Sequence, residues 1–211
     1  MRNFYLKIFN FFSVIYLYIF GRKIFYCFNQ ILLKLALKSI GYQNFGDHRF
    51  TGERNFIRSI KKFNPKICLD IGAHTGSYSS LLIKELNCKV ISFEANKFSF
   101  DKLKNLKGIY KDHLDIFNYA VTNKNKKVIL YYGSKLSQLA SLNKNLTKIN
   151  FIKNSNKNKK IVKGITIDTF FKKNFKKLRS IDLIKIDTEG HEYEVLEGAK
   201  KTITRLKPNF I

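Results

Sequence analysis

Apolar residues follow two rhythms along this chain. Short continuous runs, Ile67 to Leu69, Lys89 to Phe93 and Ile116 to Val121, alternate with longer stretches at helical spacing, Tyr78 to Leu86 and Phe98 to Leu106. Continuous runs of that length read as strands buried on both faces, and the 3.6-residue spacing between them as helices that cover the strands. Val128 to Tyr132 and Lys160 to Ile167 read as extra strands flanking a polar excursion, Ile181 to Ile186 resumes the sheet, and Glu192 to Leu206 reads as a helix. Strands alternating with helices of this length predict an α/β fold with a doubly wound, mostly parallel sheet. Pro208 introduces a last strand of three residues. A doubly wound domain would continue past that point, so the expectation is a domain incomplete at its C-terminal strands, whose open edge costs stability.

Three segments follow from the pattern: residues 1–40 as an apolar and basic helical extension, 41–52 as a glycine-containing linker, and 53–211 as the body. In the extension, Ile8 to Phe20 is almost wholly apolar between Lys7 and Gly21-Arg22-Lys23, shorter than the roughly 20 residues that span a bilayer. No small-residue cleavage site follows it, which argues against a secretory signal. Ile24, Phe28, Ile31, Leu32 and Leu35 recur at helical spacing with Arg22, Lys23, Lys34 and Lys38 between them, as in a basic helix lying on a membrane surface. The alternatives are a helical hairpin packed on the body or on a partner, and a true span.

Composition modifies this picture in two ways. The net charge of +25 points toward nucleic acid, an anionic membrane or an acidic substrate. Lys, Asn, Ile and Phe are all abundant while Trp is absent and Pro occurs twice, as AT-rich coding produces without selection on charge. The charge is discounted accordingly, and nucleic acid is not the expected partner. Cys27, Cys68 and Cys88 show no paired spacing, so neither a disulfide framework nor a metal site is indicated and a reducing, cytoplasmic setting fits. Asn143 to Lys160, rich in Lys and Asn without apolar period, reads as a surface loop rather than a site.

Chemistry concentrates at strand ends. In Asp70-Ile-Gly-Ala-His-Thr-Gly76 a strand ends at an acid, Gly72 permits a tight turn and Gly76 permits close approach of the next helix. The spacing departs from the dinucleotide fingerprint G-x-G-x-x-G, which suits a cofactor with no phosphate at that point. Glu94 ends the next strand, where an acid reaches the hydroxyls of a ribose. An acid there beside a phosphate-poor loop favours S-adenosylmethionine, whose sulfonium and amino groups are cationic. Asp187, Glu189 and Glu192 then fall within one strand-to-helix turn with Gly190 and His191. A carboxylate or His191 at that turn is placed to accept the proton of an attacking hydroxyl. Helix capping is the competing role, strongest for Glu192.

These motifs resemble the FkbM family of S-adenosylmethionine-dependent methyltransferases. The residues that carry the resemblance are Leu69-Asp-Ile-Gly-Ala73 with Gly76, Ile91-Ser-Phe-Glu-Ala-Asn96, Phe117-Asn-Tyr-Ala-Val121, Ile165-Thr-Ile-Asp168, and Leu183-Ile-Lys-Ile-Asp-Thr-Glu-Gly-His-Glu192 followed by Leu196 and Gly198-Ala199. The resemblance covers about Gly52 to Ile211. It implies a Rossmann-like class I methyltransferase fold and S-adenosylmethionine as cofactor. Asp70, Gly72, Ala73, Gly76 and Glu94 would line its methionine and ribose parts, and Asn118 and Ala120 would lie near adenine. Asp187 and Glu189 would face the junction of cofactor and acceptor. This chain has His74 where the family usually has Asn, and Ala95 where it has Pro. The implied activity is O-methylation of a hydroxyl on a sugar or related small metabolite, with a small-molecule or glycan acceptor; peripheral membrane contact through residues 1–40 is expected from the N-terminal pattern itself. The competing reading is a polyanion- or membrane-binding protein that keeps the fold without turnover.

Overall fold

The structure, a computed structural model, describes residues 2–39, 52–135, 139–144 and 157–211. It divides into two units, Met1–Phe56 and Ile57–Ile211. The first carries helices α1 (Arg2–Phe20) and α2 (Tyr26–Ser39). Tyr16, Phe20, Phe25 and Phe28 stack at the bend between them, and Asn29 ties the helices together by accepting from the Tyr16 hydroxyl at 2.6 Å and donating to the Phe20 carbonyl at 2.9 Å. Among the described residues no single helix is long and apolar enough to cross a membrane, but the pair Lys7–Phe20 and Lys23–Ser39, bent by 98°, passes that test together by length and composition. The expected linker, 41–52, lies outside the described residues except for Gly52.

In the second unit, β1 (Ile67–Ile71), β2 (Lys89–Phe93), β3 (Leu114–Phe117) and β7 (Leu183–Ile186) form a parallel sheet in the order β3-β2-β1-β7. The chain winds outward from β1 through β2 to β3 and returns on the other side of β1. Ligands of open α/β sheets bind at the carboxyl ends of strands flanking such a reversal. Helices α4 (Ser77–Leu86) and α5 (Lys97–Tyr110), with α3 (Glu53–Ile60) reaching the same core through Ile57 and Ile60, cover one face. On the other, α6 (Ile167–Asn174), α7 (Glu192–Glu197) and α8 (Lys200–Leu206) pack Phe170, Phe171, Val195 and Leu206 against Leu69, Ile71, Ile91, Phe93 and Ile184. The doubly wound, mostly parallel α/β architecture read from the sequence is the one observed.

Strand alternation gives the first face a layered character. Leu183, Cys68, Val90 and Leu114 stand side by side as an apolar row, and the row two residues on is Lys185, Asp70 and Ser92. A second sheet, β4 (Ala120–Val121), β6 (Asn158–Ile165) and β5 (Lys127–Tyr132), lies beside the first in chain order, with β4 parallel and β5 antiparallel to β6.

Four local expectations need correction. The run Ile116 to Val121 is two strands, because Asn118 leaves the ladder to donate to the carbonyls of Glu94 and Ala95 at 2.7 and 3.3 Å. The helix expected over Glu192 to Leu206 breaks at Gly198-Ala199. A Cβ at Gly198 would sit 2.2 Å from the Thr122 carbonyl oxygen, so the chain passes too close for a side chain there. The second half then starts afresh as α8, capped by Asp168, whose carboxylate accepts from the N–H groups of Lys201 and Thr202 at 3.1 and 2.7 Å. The strand expected to reach Ile167 stops at Ile165, where Thr166 caps α6 by accepting from the Thr169 N–H. Finally, of the loop expected over Asn143 to Lys160, Asn158 to Lys160 belong to β6 and Asn143 bonds to the turn after β7, while 145–156 lie outside the described residues.

Candidate functional site

The carboxyl ends of β1, β2 and β7 converge on one edge of the sheet. After β1 the chain turns through Gly72 and Gly76, both left-handed at φ 81° and 88°. Any side chain at Gly72 would put its Cβ 1.8 Å from the Asp187 carbonyl oxygen, so this loop and the end of β7 meet backbone to backbone. Between the glycines His74 is also left-handed, at φ 51°. Asn and His are among the non-glycine residues that tolerate this region best, which explains why His can occupy a position where Asn is usual.

The N–H groups of this loop face inward. Those of Gly72 and Ala73 donate to the Phe93 carbonyl at 3.0 Å each, that of His74 to the Glu94 carboxylate at 2.7 Å, and that of Gly76 to Ala73 at 2.8 Å. A phosphate cradle needs such groups free to point at the anion. A loop whose donors are already engaged fits a cofactor with no phosphate there, as the missing middle glycine implies.

Asp70 is fully buried and does not reach the open edge. One of its oxygens accepts from the Ser79 hydroxyl at 2.6 Å, and the other lies 3.2 Å from the Lys185 ammonium. Ser79 also lies 2.9 Å from the hydroxyl of Ser92, which joins α4 to the buried polar row. Lys185 is the functional residue the sequence reading missed. Its ammonium donates to the Gly72 carbonyl at 3.0 Å and lies 3.4 Å from the carboxylate of Asp187. Burial alone would lower its pKa, but Asp70 and then Asp187 outweigh that and raise it. The signal that would have found it is a lysine inside an otherwise apolar strand, in register with an acid on the neighbouring strand.

Glu94 is bound more tightly than a ligand-facing acid at a strand end would suggest. Besides the His74 bond, its carboxylate accepts from the Asn96 N–H at 2.7 Å, so it clamps the loops after β1 and β2 together. Burial raises its pKa to about 7, against the lowering effect of these two bonds. Asn118 packs at the same point through the Glu94 carbonyl. Ala73 and Ala120 are buried, the latter paired with Gly164 inside the second sheet.

After β7, Asp187 is mostly exposed and carries the ladder one residue further, its N–H donating to Ile71 at 3.0 Å. Glu189 and Gly190 are both left-handed, at φ 53° and 84°. For Glu189 this conformation costs roughly 1–2 kcal/mol. Glu192 accounts for the turn by accepting from the N–H groups of Thr188 and Gly190 at 2.9 and 3.1 Å and from the Thr188 hydroxyl at 3.2 Å, the capping role open to it. The Glu189 carboxylate forms no hydrogen bond or ion pair among the described residues, and burial, then Asp187 and Glu192, raise its pKa. His191 turns away from these acids. Its Nε2 lies 3.0 Å from the Thr122 hydroxyl, its Nδ1 3.4 Å from Glu194, and burial lowers its pKa. The structure thus gathers Asp187 and Glu189 with Asp70, Gly72, Gly76 and Glu94, and sets His191 and Ala120 to one side. Ser141, which no motif marked, donates to the Glu189 carbonyl at 2.5 Å and holds the turn against the second sheet.

Two expected outcomes follow from the buried charges. Lys185→Met leaves Asp70 buried without its cation and should lower unfolding stability by about 3–5 kcal/mol in denaturant titration, as breaking a buried pair does. An exposed change such as Lys173→Met should cost well under 1 kcal/mol. Glu94 titrates at about 7 in the folded protein against a reference of 4.5. Its contribution to stability is therefore fully present below pH 4.5 and is lost as pH rises through about 7. Relative to wild type, Glu94→Gln should gain on the order of 3 kcal/mol between those limits. Parallel pH dependence of the two proteins would contradict this.

Residues 70–211 match the family model of the Methyltransferase FkbM domain. Among curated proteins none matches the chain. Solved structures with partial likeness include the tRNA (uracil-54, C5)-methyltransferase of Pyrococcus abyssi in complex with S-adenosyl-L-homocysteine, at 18% identity and TM-score 0.26, covering 31% of this chain and 17% of that one. Another is the S-adenosylhomocysteine-bound methyltransferase PaMTH1 of Podospora anserina, at 9% identity and TM-score 0.29, covering 41% and 40%. The chain spans less than half the length of either. By this match, which covers more than half of its length, the chain belongs to the FkbM methyltransferase family.

Proposed function

We propose that the protein transfers a methyl group from S-adenosylmethionine to a hydroxyl of a sugar or related small metabolite. The observation that carries this reading is the close approach of Asp187, two residues before Glu189 at the end of β7, to the glycine-cradled loop after β1. Gly72, Ala73, Gly76 and Glu94, with Asn118 on the adenine side, are the residues proposed to hold the cofactor, and buried Asp70 backs their loop through Lys185. The bound cofactor supplies an electrophilic methyl group attached to a cationic sulfur.

The chain's own groups supply the rest. Each Glu94 oxygen accepts one main-chain N–H and keeps lone-pair capacity for ribose hydroxyls. Asp187 and Glu189 place negative charge at the edge where a cation would rest. A hydroxyl becomes a competent nucleophile as its proton leaves, and Glu189 is suited to take it: its carboxylate is unengaged among the described residues, and its raised pKa makes it the stronger base. Lys185 holds Asp187 and the Gly72 carbonyl in place, and so positions both sides of the site.

The N-terminal unit supports peripheral contact with an anionic membrane. Phe9, Phe11, Phe12, Val14 and Leu17 of α1 and Ile24 and Ile31 beyond the bend are exposed, and the first 46 residues hold six Lys or Arg and no acid. Apolar side chains with flanking cations are what an interface rich in anionic headgroups retains.

Asp187→Asn and Glu189→Gln preserve shape while removing charge. Each should lower turnover on hydroxylated acceptors by roughly two to four powers of ten while S-adenosylhomocysteine still binds by calorimetry, since a general base contributes on that scale. Full activity in both variants would remove the assignment. The chain contains no Trp, so Phe12→Trp is a clean reporter for the membrane element. Its emission should shift to the blue with phosphatidylglycerol vesicles, while that of Ile109→Trp, on the exposed side of α5, should not. An unchanged Phe12→Trp spectrum would exclude contact.

A further inference from the structure

The second sheet carries chemistry that the methyl-donor site does not use. Residues 116–167 contain eleven lysines and no aspartate or glutamate. Their strands bring like charges face to face, with Lys127 directly opposite Lys163, an arrangement that costs stability unless an anion offsets it. Beside these strands lies a cleft of about 470 Å³, within the range that encloses a small molecule. Lys124, Lys126, Lys127 and Lys144 line it, together with Thr122 and His191. Among the described residues Glu194 is the only acid on its wall, and it lies against His191. The side chains of Lys124, Lys126 and Lys127 form no ion pair or hydrogen bond among the described residues.

The position of the cleft ties it to the site after β7. His191 lines it, and only Thr188, Glu189 and Gly190 separate His191 from Asp187. At 3.8 Å per residue their Cα atoms are at most about 15 Å apart, less because the intervening turn is folded. Ser141 and Asn143 hold that turn from the other side, through the carbonyls of Glu189 and Gly190. One short turn therefore presents carboxylates toward the donor edge and a histidine toward a lysine-lined cleft. Walls of low dielectric concentrate the field of such lysines on whatever enters. The cleft is open to solvent but local, and its small volume favours a small anionic group over a long polyanion, which would need an extended track.

We propose that this cleft binds an anionic group, phosphate or carboxylate, of the methyl acceptor, so that the substrate is an acidic small molecule or acidic glycan end whose hydroxyl reaches the Asp187–Glu189 turn. This rests on the methyltransferase reading. Lys124, Lys126 and Lys127 supply the charge, and Thr122 and His191 supply polar contacts at the wall. The same arrangement gives the lysine-rich sheet a role in substrate choice.

The test uses the full chain and the histidine ring resonances by NMR, with inorganic phosphate and glucuronate as probes. The four histidines make the His191 signal assignable by His191→Gln. The wild-type His191 signal should shift saturably with at least one probe. Saturation by phosphate alone assigns a phosphorylated acceptor, and by glucuronate alone a carboxylated one. In Lys124→Gln/Lys126→Gln/Lys127→Gln the apparent Kd should rise at least tenfold. In Lys172→Gln/Lys173→Gln/Lys176→Gln, an equal charge loss at exposed positions elsewhere, it should change less than twofold. Equal weakening in the two triple variants, or no saturable shift, overturns the proposal. S-Adenosylhomocysteine affinity, measured by calorimetry, should agree within twofold between wild type and the cleft variant, which also shows that the variant is folded. If S-adenosylhomocysteine fails to bind wild type while the anion result holds, the methyltransferase reading has failed and the anion site stands.

Discussion

The buried contact between Lys185 and Asp70 constrains more of this protein than any other single interaction. A carboxylate removed from water in the centre of a sheet is costly, by several kcal/mol even after relaxation, and is kept only where a cation and hydrogen-bond donors meet it. Here the cation comes from the neighbouring strand at the same register level, and the donor is Ser79 from the covering helix. Satisfying Asp70 therefore fixes the pairing of β1 with β7 and the seating of α4 together. The Lys185 ammonium also holds the Gly72 carbonyl and the Asp187 carboxylate, so the same contact shapes the loop after β1 and the first acid after β7.

The rest of the edge is arranged around that point by close backbone approach. Gly72 meets the carbonyl of Asp187, and Glu94 clamps the two loops that flank it through main-chain N–H groups. Glu192 shapes the following turn, which leaves Glu189 in a left-handed conformation with an unengaged carboxylate. Strained backbone of this kind persists where surrounding structure over-determines it, and it recurs at functional sites. Acids thus occupy the edge suited to a cationic cofactor, while the lysine-rich second sheet stands across the same turn. In the proposed reading, this separation of charge suits one side to the donor and the other to an acidic acceptor.

Much of the architecture was legible from the chain alone, because burial imposes its period locally. The strands from Ile67 and from Lys89 to Phe93, and the helix starting near Tyr78, are specified by which residues must leave water. The glycine loop and the acids at positions 94 and 187 to 192 were also legible, since strand ends and positive φ require particular residue types. Features that depend on which segments become neighbours were not. Gly198 looks like an ordinary helix residue until the Thr122 carbonyl is found against it. Ser141 lies in the polar excursion between the two extra strands, yet its hydroxyl holds the turn after β7.

The sequence by itself determined the fold class, the family and the set of acids from which a methyl-transfer site is proposed, because each rests on short-range pattern. Only the tertiary structure decided their division of labour. Asp70 was read as ligand-facing and is buried, since the register of β1 brings Lys185 beside it, and Glu94 gains a second task as the loops bring two N–H groups onto its carboxylate. His191 was read with the acids and faces Thr122 because the Gly190 turn reverses the chain before it. Solvation and electrostatic partners are properties of the assembled neighbours, and no single segment of the chain carries them.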